Sequence, residues 1–173
     1  KIMISGQAYA LVVAPKAQGE SSGGLQWRTS NNTTAGTDSR NDGWANTQVM
    51  IQVGSAIPPA AAFCRGLNIN GYDDWYLPSQ DEWEILYRAF KPTTEDNDTR
   101  YGGTPSAIPP TGNYTTSNPS QTDVDVFKTG GGEDFLDTTY WSSTQASGTS
   151  SWPHNFGSGS QRARTSATAL RVR

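Results

Sequence analysis

Residues 60–87 read AAAFCRGLNINGYDDWYLPSQDEWEILY, and the second half of this stretch decides the fold. Ser79 and Glu82 have the spacing of a capping box, in which each side chain accepts a hydrogen bond from the other residue's backbone N–H. Acidic residues follow at the positive end of the expected helix, and Pro92 ends it. Apolar residues recur at helical spacing, namely Trp83, Leu86, Tyr87 and Phe90. The stretch therefore predicts an amphipathic helix between Ser79 and Pro92.

Two further helices are predicted upstream of this one. Asp42 is placed to cap a helix over Trp44–Ile51, and Pro59 suits the first turn of the next. The apolar face of that next helix consists of Ala60, Phe63, Cys64 and Leu67. We interpret Cys64 as a small core residue rather than a nucleophile, and as the only cysteine it excludes an internal disulfide.

Short apolar runs between Gly/Ser turns predict strands, and we place these at Tyr9–Ala14, Leu25–Thr29, Trp75–Leu77, Tyr140–Thr144, Trp152–Phe156 and Leu170–Arg173. Residues 93–138 are rich in Pro, Gly, Thr and Asn and show little periodicity. A loop of this length is typically functional or packs by its own side chains. The order of elements predicts an α+β fold in a single domain over residues 1–173.

The composition and charge of the chain argue against several classes of function. The 173 residues are 34% hydrophobic with six Trp and seven Tyr, which is typical of a folded chain with much surface loop. A net charge of −3 gives no overall attraction to nucleic acid or to an anionic membrane. No apolar run is long enough for membrane insertion. The chain begins at Lys1 without a signal-peptide pattern, so we expect it to be the C-terminal part of a longer protein.

Several motifs together resemble the Lcl C-terminal domain family, over nearly the whole chain. These are GGLQW (23–27), the stretch at 60–87, YWSST (140–144) and LRVR (170–173). The resemblance implies a C-type-lectin-like fold related to formylglycine-generating enzymes, with two or three helices around short antiparallel strands and long loops. The closest likeness is to domains at the tips of phage and prophage tail fibres, and it includes YALVVAPKAQGE (9–20), DGWANTQ (42–48), FKPTTEDN (90–97) and FKTGGGEDF (127–135).

The resemblance implies recognition through variable loops that follow YWSST. The receptor-binding positions carried onto this chain are Ala146, Gly148, Ser150, Trp152, Pro153, His154, Asn155, Ser158, Ser160, Arg162, Arg164 and Thr168. Of these, Trp152 is expected to be mainly framework with an edge at the surface, like Phe156 and Gly159, and the others are expected to be exposed.

The function that follows is the receptor-binding tip of a phage tail fibre, extracellular on the virion and homotrimeric. Its expected partner is a bacterial surface glycan or outer-membrane protein. The alternatives are a structural cap of a fibre or a cell-encoded lectin-like adhesin.

Residue chemistry also favours a binding surface in the C-terminal stretch. Ser, Gly and Asn offer adaptable hydrogen bonds, and Arg can hold anions with two parallel donors. No Asp or Glu follows Asp137, whereas four arginines do: Arg162, Arg164, Arg171 and Arg173. We expect this stretch to be locally basic, with Arg171 and Arg173 lying on a terminal strand and the other two available to a ligand.

The sequence favours a binding function over a catalytic one, and we expect no cofactor or metal. DWYLPSQDEWEILYRA is similar to a stretch of formylglycine-generating enzymes, but their oxidase chemistry uses a pair of cysteines. Gly130–Gly132 lacks the Lys-Ser/Thr of a phosphate loop, and no nucleophile elbow accompanies His154, the only histidine. Glu95, Asp96 and Asp98 are interpreted as a solvated acidic loop. The sequence does not exclude a pair of carboxylates for glycoside hydrolysis, although no pattern indicates such a pair.

Overall fold

The computed structural model of the protein describes residues 1–29, 33–52 and 58–173. Within these ranges the architecture is α+β, as predicted. The helices are α1 (Lys16–Gly19), α2 (Gly43–Gln52), α3 (Pro59–Arg65) and α4 (Gln80–Phe90), with a 3-10 turn at Asp125–Phe127. The strands are β1 (Ile2–Ile4), β2 (Gln7–Tyr9), β3 (Leu25–Gln26), β4 (Thr139–Ser147), β5 (Ser150–Asn155), β6 (Arg164–Thr165) and β7 (Ala169–Leu170).

The strands form three small antiparallel sheets. β1 pairs with β2, β3 pairs with β7, and β4, β5 and β6 form a three-stranded sheet in that order. The β4–β5 pairing is regular from Thr139 to Trp141 and then shifts register towards Ser147. A bulged hairpin of this kind twists strongly, which re-aims the side chains near its tip.

The three predicted helices are confirmed. The capping box of Ser79 and Glu82 is formed, with the Ser79 N–H donating to Glu82 Oε2 over 2.7 Å. Asp42 caps α2 by accepting the N–H of Ala45 over 2.8 Å. Cys64 on α3 is only 1% exposed, and burial raises the pKa of its thiol to about 12. Cys64 is therefore a core residue, as predicted.

Two apolar clusters form the core. One is built on α2, α3 and the terminal strands, from Trp27, Met50, Ala60, Ala61, Cys64, Leu77, Trp141 and Val172. The other is mainly aromatic, from Trp83, Leu86, Tyr87, Tyr114, Phe135, Tyr140 and Phe156. The indole N–H of Trp83 donates to the carbonyl oxygen of Trp141 over 2.9 Å and links the two clusters. The buried indoles therefore find polar partners, which makes their burial favourable.

The predicted strand over Tyr9–Ala14 is wrong. The strand is β2, whose three residues are exposed, and it ends at Tyr9. Residues 10–14 run on without strand pairing, and Val12 is 79% exposed. An apolar run forms a buried strand only if another layer of structure covers it. Here the run lies along the outside of the aromatic cluster, and Leu11 and Val13 pack against that cluster.

The predicted strand over Trp75–Leu77 is also wrong. The backbone of Leu77 is satisfied by a side chain of α2 instead of a neighbouring strand. Its N–H donates to Thr47 Oγ1 over 3.1 Å, and its carbonyl accepts the Thr47 hydroxyl over 3.3 Å. The other predicted strands exist with shifted ends: β3 is shorter than Leu25–Thr29, β4 extends to Ser147, β5 ends at Asn155, and β7 ends at Leu170.

Polar side chains hold the long loop over residues 93–138 in place. This agrees with the prediction that a loop of this length packs by its own side chains. Asn97 Nδ2 donates to the carbonyls of Thr115, Thr116 and Pro119 over 2.9–3.1 Å. Lys91 is 1% exposed and donates to the carbonyl of Glu95 and, over 3.4 Å, to that of Pro119. These bonds gather distant parts of the loop around two side chains and hold it against α4.

Candidate recognition surface

The turn between β4 and β5 lies beside β6 at one edge of the molecule. In the sheet register Ser150 pairs with Thr165, and Ser151 pairs with Arg164. The N–H of Ser166 donates to the carbonyl of Thr149 over 3.0 Å. Residues 146–150 and 164–168 therefore share one face. Ala146, Arg164 and Thr168 are exposed there, and Gly148 and Ser150 are half-buried.

A shallow depression of about 280 Å³ adjoins this face. Its walls are residues 33–36, Asp38 and residues 145–147. Gln145 Oε1 accepts the Thr34 N–H over 2.9 Å and the Thr37 hydroxyl over 3.1 Å, which fixes one wall against the other. The depression thus has a rigid base, with exposed Asp38 and Ala146 at its rim.

A second group of predicted positions lies where the C-terminal loops meet the long loop. Asn155 Oδ1 accepts the backbone N–H of Gly157 and of Ser158 over 3.1 and 2.8 Å, so it shapes a turn. The carbonyl of Ser158 accepts the Asp98 N–H over 2.8 Å. Ser158 and Ser160 are half-buried, and Arg162 is exposed.

The charge environment of this second group is mixed. Hydrogen bonding to Arg100 lowers the pKa of Asp98, and the nearby charge of Arg162 adds a smaller contribution in the same direction. Arg162 therefore lies in the field of a carboxylate that is already paired with Arg100 over 2.5 Å. Asp98 is thus half-buried and paired with Arg100, while Glu95 and Asp96 of the same acidic loop are exposed.

The expected exposure of His154 and Pro153 is wrong. His154 is 0% exposed and packs among aromatic rings, with ring centroids 5.1 Å from Tyr87 and 5.2 Å from Phe156. Burial lowers the pKa of His154 to about 3. Alternation along a strand exposes one residue in two only when one face of the sheet is open. β5 is covered on both faces at this point, so the neighbouring Pro153 is buried as well.

His154 belongs to a buried hydrogen-bonded clamp that the sequence did not reveal. Gln161 Nε2 lies 3.0 Å from His154 Nδ1 and also donates to the carbonyl of Gln80 over 3.0 Å. Gln80 Nε2 donates in turn to Gln161 Oε1 over 2.5 Å. An amide nitrogen can only donate, so Nδ1 accepts and the imidazole proton is on Nε2. The clamp ties the loop before β6 to the start of α4.

The framework positions of the stretch are buried as expected. Phe156 is 0% exposed, and Trp152 is half-buried, with its carbonyl accepting the Ser142 hydroxyl over 2.5 Å. Gly159 has φ +72°, and a Cβ there would lie 2.8 Å from a ring carbon of Tyr87. Both the backbone angle and the space require glycine at this position.

The four C-terminal arginines divide into two pairs. Arg173 is 6% exposed and donates to Glu133 Oε2 over 2.5 Å and to the carbonyl of Ala14 over 3.1 Å. Arg171 donates to the carbonyl of Ser21 over 2.5 Å. Arg162 and Arg164 are exposed and form no ion pair with any residue in the described ranges. Among these four arginines, only Arg162 and Arg164 are thus exposed and unpaired within the described residues.

Within residues 1–29, 33–52 and 58–173, no helix combines the length and apolar character needed to cross a membrane. Among the same residues, no cluster of three or more His, Cys, Asp or Glu side chains is arranged to hold a metal ion.

The fold and the surface define an α+β domain in which a buried aromatic framework carries irregular exposed loops. The chain belongs to the Lcl C-terminal domain family, whose family model matches residues 19–173. The predicted family is therefore confirmed over nearly the whole chain. Comparison with curated proteins and comparison with solved structures give no match.

Proposed function

We propose that this domain is the receptor-binding tip of a phage tail fibre, extracellular on the virion, and that it attaches to the bacterial surface through its C-terminal loops. The observation that carries the proposal is the face formed by residues 146–150 and 164–168. There, exposed small and polar residues and one Arg lie beside buried residues, namely Ser151 on β5 and Ser166 in the turn after β6. A rigid base with adaptable polar contacts at its surface is suited to recognition.

The chemistry of the exposed loops favours an anionic glycan over an outer-membrane protein as the receptor. Arg162 and Arg164 are exposed, and their exposed neighbours in sequence carry hydroxyls or small side chains, such as Thr165 and Thr168. Guanidinium groups bind carboxylates and phosphates with two parallel hydrogen bonds, and hydroxyls hydrogen-bond sugar hydroxyls. A surface of exposed guanidinium and hydroxyl groups suits a charged polysaccharide.

Three copies in a homotrimer would multiply a weak single-site affinity. Linked sites raise the effective concentration of the second and third contacts, so a trimer binds a repetitive surface polymer much more tightly than one domain does. Light scattering on the purified domain measures the oligomeric state, and a monomer as the only species would contradict this part of the proposal.

Binding of the fluorescently labelled domain to a panel of bacterial strains tests the function. The informative variant is Arg162→Ala/Arg164→Ala, because both side chains are exposed and its folding should be unaffected. The charge-matched control is Lys1→Ala/Lys128→Ala, which removes two positive charges elsewhere, an exposed one at Lys1 and a half-buried one at Lys128 that is paired with Asp125. We expect strain-selective binding that the arginine variant loses and the control retains.

Other outcomes would indicate a different function or a different binding site. If the folded, oligomeric domain binds no strain, the alternative of a structural cap is favoured. If both variants bind like the unmodified domain, the receptor contacts lie outside the C-terminal loops. An upstream signal peptide in the full gene, in place of neighbouring tail genes, would indicate a cell-encoded adhesin.

A further inference from the structure

A cavity of about 580 Å³ lies away from the recognition surface, between residues 10–14 and α4. Its size falls within the range of roughly 300–1,000 Å³ that is usual for small-molecule sites. One wall is the unpaired apolar stretch at residues 10–14, and the opposite wall includes Leu67 and Leu86. The stretch at residues 10–14 precedes the part of the chain that the family model matches. This wall is therefore a feature of the present chain beyond the family match.

Aromatic rings form much of the remaining lining. Tyr72, Trp75, Tyr76 and Trp83 all line the cavity. Tyr72 is 67% exposed at the entrance, Trp75 and Tyr76 are half-buried, and Trp83 is fully buried. The faces of such rings carry partial negative charge and attract organic cations, and Trp does so most strongly.

Two carboxylates belong to the same lining, Glu82 inside and Asp74 at the exposed rim. Glu82 is 1% exposed, with Oε1 accepting the Tyr76 hydroxyl over 2.9 Å and Oε2 accepting the Ser79 N–H over 2.7 Å. No cation in the described ranges forms an ion pair with Glu82 or Asp74. Burial raises the pKa of Glu82 to about 7, and the nearby charge of Asp42 adds to the effect. The two carboxyl groups of this wall thus have no positively charged partner among the described residues.

The positive side chains near the cavity are engaged elsewhere. Arg173 contributes to the lining but is paired with Glu133, which lies outside it. Arg65 lies over the ring of Trp44 and donates to the carbonyls of Asp73 and Trp75. The lining therefore favours positive charge at one end and apolar groups at the other.

We propose that this cavity binds a small organic cation, a primary or quaternary ammonium that carries an apolar tail. The ammonium group lies among the rings of Tyr72, Trp75 and Tyr76, close to Asp74 and Glu82, and the tail packs against residues 10–14. Electrostatic attraction to the carboxylates and to the ring faces holds the charged end. The site is separate from the C-terminal loops, so the test of this inference does not depend on the outcome of the receptor-binding test.

Titration with three ligands of equal chain length tests this inference. The ligands are hexyltrimethylammonium, 1-hexanol and hexanoate, and the readout is the indole N–H signal of Trp75, assigned with Trp75→Phe. The variants are Asp74→Asn and Glu82→Gln, and the latter keeps an oxygen to accept the Ser79 N–H. The matched control is Asp73→Asn, which removes a neighbouring exposed carboxylate outside the lining.

We expect hexyltrimethylammonium to bind most tightly, and each lining variant to weaken it about tenfold while leaving 1-hexanol unaffected. The Asp73→Asn control should bind like the unmodified protein. Equal binding of 1-hexanol, preference for hexanoate, no shift with any ligand, or an equal loss in the Asp73→Asn control would each overturn the proposal. If Glu82→Gln does not fold, the ligand series and Asp74→Asn still decide the question.

Discussion

Replacement of His154 by Asn should remove a pH dependence of stability that has a calculable size. The folded protein excludes a proton from His154, since burial lowers its pKa from 6.5 to about 3. The unfolded chain takes up that proton below about pH 6.5. A group whose folded pKa is depressed supplies stability above its unfolded pKa, and this stability is lost as the pH falls. Asn lacks a titrating group, and its oxygen can still accept from Gln161.

The magnitude follows from the two pKa values. Between pH 7 and pH 5 the unfolded imidazole becomes almost fully protonated, while the folded one stays neutral. The free energy of unfolding should therefore fall by about 2 kcal/mol more in the unmodified protein than in His154→Asn. Buried Glu82 and Glu84 act in the opposite direction, since burial raises the pKa of Glu82 to about 7 and that of Glu84 to about 8. Both residues are present in both proteins, so their effect cancels in the comparison.

Urea denaturation followed by tryptophan fluorescence at the two pH values measures this difference directly. His154 is the only histidine, so its ring proton signals can be followed by NMR without ambiguity. These signals should stay constant from pH 7 to pH 5. Titration of the folded protein near pH 6.5, or the same loss of stability in both proteins, would refute the reasoning from burial.

Three further predictions test the framework. Gly43→Ala should destabilise the fold by about 1–3 kcal/mol in thermal unfolding, because the new methyl would lie 2.7 Å from the backbone nitrogen of Ser79. In the control Gly132→Ala nothing lies within 4 Å of the new methyl, so the stability should change by no more than about 0.5 kcal/mol. Arg173→Met should cost about 1–3 kcal/mol in urea denaturation, since it removes the ion pair with Glu133, whose side chain is 34% exposed and still accepts the Lys16 N–H, and a neutral result would show that the pair is dispensable. Cys64 should resist a thiol reagent in the folded protein and react fully in urea, because burial raises its pKa to about 12; rapid labelling of the folded protein would contradict its place in the core.

The helices were predictable because their signals are local. Ser79, Glu82 and Pro92 mark the ends of α4 within one short stretch, and the apolar spacing gives its buried face. The absence of a strand at Trp75–Leu77 was not predictable, because the backbone partner of Leu77 is the side chain of Thr47, which lies 30 residues away in the sequence. The apolar run at residues 10–14 has the pattern of a buried strand, and only tertiary packing decides whether another layer covers it.

The exposure of the candidate recognition positions was predicted in part. Its location followed from the family resemblance and from the Ser- and Arg-rich composition, and Arg162, Arg164 and Thr168 are exposed as expected. The burial of His154 could not be inferred, because polar residues are usually exposed and its partner Gln161 carries no distinguishing pattern. The pairing of Arg173 with Glu133 also joins residues far apart in sequence. The counterions of a charged stretch are therefore set by the fold.

The buried anchors inside the C-terminal stretch have a consequence for protein engineering. Gln161 and Ser166 are 2% and 0% exposed, and each bonds to another part of the framework. A combinatorial library that randomises residues 146–168 as one block would replace these anchors in nearly every clone, and most clones would misfold. A library restricted to residues 146–149, 162–165 and 167–168 would vary the solvent-facing positions and keep the scaffold. Selection from such a library could give new specificities on the same backbone.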